Sequence, residues 1–81
     1  VTKTVRVHYF AQLREQRGLA GEACATEAET PAGLYAELRA RHAFSLPAER
    51  LRVSLNHEFA PWTATLRDGD AVAFIPPVAG G

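Results

Sequence analysis

Strict alternation opens the chain. Val5, Val7 and Tyr9 are separated by Thr4, Arg6 and His8, and this period of two predicts a strand over about Lys3 to Phe10 with one face in a core. Ala11 to Arg17 reads as a polar helical turn that Gly18 ends, after which Gly21 admits a second strand over about Glu22 to Ala28. These two strands are expected to pair antiparallel. The period then changes. Thr30-Pro31 reads as an N-cap followed by proline at the first helical position, where its missing N–H is no loss. Leu34, Tyr35, Leu38 and His42 follow on one side of a helix, with Glu37, Arg39 and Arg41 on the rest of its surface.

Alternation returns at about Leu51 to Asn56, with Leu51, Val53 and Leu55 inward and Asn56-His57-Glu58 as the turn that follows. A last strand begins after the Asp68-Gly69 turn, with Val72 and Phe74 on one face and Ala73 and Ile75 on the other. Strand, strand, helix, strand, strand in one short chain implies an α+β domain, a mixed sheet with one main helix across one face. Pattern alone leaves the strand order open. No repeat or linker divides the body, which is read as residues 1–75, followed by an extended tail over residues 76–81.

That tail, Pro76-Pro77-Val78-Ala79-Gly80-Gly81, is uncharged and leaves directly from a strand. Two prolines favour an extended path of about 3.1 Å per residue, so six residues reach roughly 18 Å from the body. Glycine lacks a Cβ, so a Gly80-Gly81 end fits a channel too narrow for side chains and lets a partner approach the acyl carbon. The expected reactive group is therefore the carboxylate of Gly81.

Composition narrows the alternatives. The 81 residues carry nine basic and nine acidic side chains, formally neutral and scattered along the chain, so no basic face marks a nucleic acid or lipid partner. There is no long apolar run, and the start is strand-like and unlike a signal peptide, so a cytoplasmic protein is expected. The single cysteine, Cys24, excludes an internal disulfide and reads as a small buried hydrophobe with no cation beside it in sequence. His8, His42 and His57 have no ligand spacing, and surface or edge positions account for them. No metal is expected. Trp62 reads as a core or loop anchor. Phe10 and Ile75 fall on outer registers of their strands, and Phe59 follows the third-strand turn. These three are candidates for a partner-binding patch, the alternative for the two phenylalanines being a place under loops as satellite core.

The run Asp68 to Gly81, DGDAVAFIPPVAGG, together with Tyr9-Phe10-Ala11-Gln12-Leu13-Arg14-Glu15 and Leu55-Asn56, resembles the small, sulfur-carrying subunits of molybdopterin synthase. Ile75 stands where an aromatic is common in that family, and Ala79 where a small polar residue is common. The resemblance implies a ubiquitin-like β-grasp fold with the first and last strands side by side in the centre. It also implies chemistry. Gly81 would be adenylated by an adenylyltransferase related to the ubiquitin-activating enzymes and converted to a thiocarboxylate with sulfur from a persulfide donor. The sulfur would then pass to cyclic pyranopterin monophosphate inside a large subunit, in a heterotetramer of two small and two large chains.

On that reading Gly81 and Gly80 form the reactive end, Pro76, Pro77, Val78 and Ala79 thread the partner's channel, and the large subunit supplies the catalytic groups. The chain has no phosphate-binding G-x-x-x-x-G-K-[ST] loop, so ATP is used by the activating enzyme and no cofactor is held stably. Rival readings are a carrier for another cofactor such as the thiazole of thiamine, a ubiquitin-like modifier with the single lysine Lys3, a binding module with an idle tail, and an enzyme acting through Cys24.

Overall fold

The computed structural model describes residues 2–76; Val1 and residues 77–81 lie outside the described residues. The alternating N-terminal segment forms β1 (Lys3–Tyr9), with Val5, Val7 and Tyr9 buried. A short helix α1 (Ala11–Arg17) follows and stops at Gly18, whose φ of 81° is the left-handed conformation that glycine adopts without a Cβ clash. The chain then forms β2 (Gly21–Thr26), antiparallel to β1, with Val5 opposite Cys24 and Val7 opposite Glu22.

Helix α2 (Pro31–His42) starts where the sequence signals it, with the Thr30 hydroxyl accepting the Gly33 N–H at 3.2 Å and Pro31 at the first helical position. Leu34, Tyr35 and Leu38 are buried on its inner face. A 3-10 turn at Ala48–Arg50 leads into β3 (Arg52–Leu55), β4 (Glu58–Ala60) and finally β5 (Ala71–Ile75).

The sheet order is β2-β1-β5-β3-β4, with β1 and β5 parallel and every other pair antiparallel. The first and last strands are thus central neighbours, as expected from the resemblance. Their inward residues Val5, Val7, Tyr9, Val72 and Phe74 join Val53 from β3 and Leu34, Tyr35 and Leu38 from α2 in one core. Tyr35 packs on Phe74 at 5.1 Å between ring centroids, and Trp62 stacks on Phe74 at 5.8 Å, which makes Trp62 the anchor of the loop between β4 and β5.

Three details depart from the sequence reading. The first strand ends at Tyr9, and Phe10 occupies the N-cap position of α1 with extended backbone. The turn after β3 is only Asn56-His57, both with positive φ (51° and 74°), and Glu58 already belongs to β4, a three-residue edge strand the pattern did not reveal. Two consecutive positive φ values characterise the tight hairpin turn whose twist matches that of its strands.

Asn56 also explains its place in the sequence. Its side-chain carbonyl accepts the Ala71 N–H at 3.0 Å, and its amide donates to Asp70 Oδ1 at 3.0 Å. The hairpin turn is thereby pinned to the start of the last strand. On the other side, Asp68 Oδ1 accepts the Thr4 N–H at 2.7 Å, and the Gly69 N–H (φ 86°) donates to Thr4 O. The Asp68-Gly69 turn therefore fixes where β5 begins, and so where it ends.

Candidate functional site: the exit of the last strand

β5 is hydrogen-bonded on both sides, with Phe74 opposite Tyr9 of β1 and opposite Val53 of β3. Alternation places Val72 and Phe74 in the core and turns Ala73 and Ile75 to the sheet face away from α2. Ile75 pairs with Arg52 at the start of β3, and Phe59 on β4 pairs with Ser54 two residues further along. These outward positions converge on a groove of about 560 Å³ lined by Arg50, Leu51, Arg52, Phe59, Ile75 and Pro76, with Glu49 also in its lining. Phe59 is 71% exposed, the most exposed large apolar side chain among the described residues. The Arg52 guanidinium lies 6.0 Å from the centroid of its ring.

The structure thus brings Phe59, Ile75 and Pro76 together. Phe10, 47% exposed, follows Tyr9 beside the end of β5 and does not line this groove. Pro77, Val78, Ala79, Gly80 and Gly81 lie outside the described residues. Arg52 went unremarked in the sequence, although the alternation of Leu51 and Val53 inward already turned it outward.

Cys24 is buried, as its alternating segment implies. No cation stands beside it in sequence, but the fold brings one: Arg41, seventeen positions away on α2, directs Nη1 to the sulfur at 3.9 Å. A helix crossing the sheet creates a neighbour that linear spacing does not record. Among the described residues no cluster of three or more His, Cys, Asp or Glu could hold a metal, and no helix is long and apolar enough to cross a membrane.

The polar cluster at the opposite end of the sheet from the β3–β4 hairpin is structural. Glu22 accepts from Arg17 through two bonds of 2.8 and 2.9 Å and from the Tyr9 hydroxyl at 2.7 Å, with His42 Nε2 at 3.8 Å. His42 is therefore partly enclosed, at the end of the helix stripe that it shares with Leu34, Tyr35 and Leu38. The Arg17 bonds, against the opposing effect of burial, hold the Glu22 carboxyl down to about 2. Burial first, then the bond to Glu22, pushes the Tyr9 hydroxyl up. Burial lowers His42, with the Arg17 charge adding to it.

A carboxyl depressed in the folded state stabilises fully above its unfolded value near 4.5, and that contribution is lost as pH falls toward 2. Both side chains of the Arg17–Glu22 pair are partly open to water, so solvent screening keeps that contribution small. Unfolding free energy measured from pH 6 to pH 2 is expected to fall less steeply in Glu22→Gln than in the parent; equal slopes would contradict the assignment.

A central strand flanked on both sides, a helix across one face and a groove where the last strand leaves the sheet define an α+β domain of the ubiquitin-like class. The ubiquitin of Caldiarchaeum subterraneum superposes with a TM-score of 0.65, at 16% identity and over 100% of both chains, a likeness of fold alone. The family model described as the ThiS family matches residues 7–81, and the chain belongs to that family. The Escherichia coli (strain K12) molybdopterin synthase sulfur carrier subunit is 35% identical over 95% of this chain and 99% of its own length.

Among solved structures, the HVO 2177 protein of Haloferax volcanii aligns with a TM-score of 0.81 at 25% identity, covering 99% of this chain and 88% of that one. A chain in the complex of subunits 1 and 2 of the molybdopterin-converting factor of Helicobacter pylori 26695 aligns with a TM-score of 0.65 at 25% identity. That alignment covers 96% of this chain and 99% of the other.

Proposed function

We propose that the chain is the sulfur carrier subunit of a molybdopterin synthase, with residues 1–75 as the body and 76–81 as the reactive tail. The observation that carries this reading is the course of β5: the innermost part of the sheet runs without interruption through Ile75 into Pro76, so a rigid element aims the segment that follows. Its near full-length similarity to the E. coli sulfur carrier supports the same reading.

A carboxylate is a poor acyl donor. Gly81 is therefore adenylated by an ATP-using partner, with release of pyrophosphate, and a persulfide sulfur then displaces AMP from the acyl carbon. Cleavage of the resulting acyl disulfide by a thiol leaves the thiocarboxylate on Gly81. This softer nucleophile, tethered to a protein handle, is delivered to cyclic pyranopterin monophosphate in a large subunit that supplies the catalytic groups, two such transfers building the dithiolene. The assembly pairs two small with two large subunits and works in the cytoplasm.

Phe59, Ile75 and Pro76 dock the body on that subunit, Phe10 extends the contact, and Pro77, Val78, Ala79 and Gly80 thread its channel. A modifier that forms chains through its own side chains is disfavoured by Lys3, the single lysine, whose Nζ already donates to Ala28 O at 2.8 Å.

Intact mass of the protein isolated from its own cell tests the chemistry. A subpopulation heavier by about 16 Da, one oxygen exchanged for sulfur, is expected. It should vanish when the persulfide donor is absent. A homogeneous population at the unmodified mass, under conditions where the cell makes molybdopterin, would sink the proposal.

A further inference from the structure

The groove at the end of β5 is apolar at Phe59, Ile75 and Pro76, yet two arginines, Arg50 and Arg52, stand in its lining. Among the described residues neither arginine forms an ion pair within 4.0 Å, not even with Glu49, which shares the lining; the ion pairs of the described residues gather on Glu22. Arg52 is the more committed of the two. It is the register partner of Ile75, its guanidinium lies 6.0 Å from the Phe59 ring, and its side chain belongs to the outward row of the sheet.

No strand residue on that outward row brings an acid near it. The outward row holds Ser54 on its own strand, Ala73 and Ala71 on β5 and Ala23 on the far strand β2, with Arg6 and His8 from β1 adding further nitrogen groups. Glu58, the acid on β4, pairs with Leu55 and so shares the inward register.

Any protein that covers Phe59 and Ile75 must also cover Arg52. Taking a guanidinium out of water without an opposite charge carries a desolvation cost large enough to cancel the gain from burying two apolar side chains. The contact is favourable only if the covering surface returns a carboxylate, and a planar guanidinium held beside an aromatic ring is well suited to receive one through two parallel hydrogen bonds.

We infer that Arg52 is a specificity-determining residue of the docking surface, and that the protein receiving the tail presents an aspartate or glutamate to it beside an apolar pocket for Phe59. The inference deepens the docking role proposed for this groove and rests on it. An acidic residue opposite Arg52 discriminates between partners: a surface equally apolar but carrying lysine or arginine at that point meets like charge at a desolvated site and is refused.

The test titrates the large synthase subunit from the same cell with the parent chain and with Arg52→Gln, Arg52→Glu and Phe59→Ala, over about 50 to 300 mM salt. Unfolding midpoints are recorded for each variant. Arg52→Glu should bind about tenfold more weakly or worse, and Arg52→Gln less severely, with a flatter salt dependence than the parent, while both keep the parental midpoint. If Arg52→Glu matches the parent in affinity and salt dependence while Phe59→Ala weakens binding, the charge inference falls and the docking role of the groove stands. If the parent does not bind the large subunit at all, both fall.

Discussion

Deleting Gly81, or adding a single residue after it, is expected to abolish sulfur transfer to the pterin while leaving the unfolding midpoint unchanged. The proposed chemistry takes place at one acyl carbon. An added residue converts the acid that must be adenylated into an amide, and a deletion withdraws it by one residue, about 3 Å, from wherever a partner's channel holds it. The body is indifferent to either change, because its core closes at Phe74 and its last strand at Ile75.

The described residues offer one other candidate nucleophile, Cys24, and it faces the core with its sulfur near Arg41. Cys24→Ala should therefore transfer sulfur like the parent. A reconstituted synthase assay with single-turnover readout decides the matter: transfer by an extended, unprocessed chain, or its loss in a folded Cys24→Ala variant, would refute the assignment of the reactive group.

The second large effect concerns the body. Phe74→Ala is expected to cost about 3 to 5 kcal/mol, the usual range for deleting a fully buried aromatic ring. The figure is comparable to the whole stability expected for a domain of 81 residues. Phe74 is fully buried, meets Tyr35 and Trp62 ring to ring, and sits where Tyr9 and Val53 flank it across two strand pairs. Its removal leaves a cavity under the main helix that no neighbour can fill without moving the sheet. Urea unfolding should place the variant largely unfolded at 37 °C, and a loss below about 1 kcal/mol would mean that the aromatic cluster is not the centre of the core.

The most regular signals in the chain were also the most legible. Val5-Val7-Tyr9 and Val72-Phe74 announced strands because alternation over five or more residues has no other compact solution, and Thr30-Pro31 fixed the start of α2 through its own cap chemistry. β4 was lost because three residues, Glu58 to Ala60, carry too little pattern to separate from a turn, and its hairpin uses Asn-His where Asn-Gly would have been conspicuous. Strand order came from the family resemblance, since alternation says which residues face inward but not which strand lies beside which.

The contacts hidden from the sequence join distant elements: Arg41 to Cys24 from helix to sheet, Glu22 to Tyr9 across a strand pair, Arg52 to Ile75 across another. Phe59 was visible as an exposed aromatic. That it shares a groove with Ile75 and Pro76 depended on a register set by Asn56 and Asp68, whose hydrogen bonds no periodicity displays.

The placement of β5 between a parallel and an antiparallel neighbour has a mechanical consequence. A pull applied along the chain beyond Pro76 runs down the axis of β5, whereas its ladder bonds to β1 and β3 lie across that axis. The load is shared by all of them at once, in shear, and cannot peel them open one after another as it would at a hairpin end. On the proposed function, a tail gripped in a partner's channel would be tugged free, turnover after turnover, without unravelling the domain that carries it.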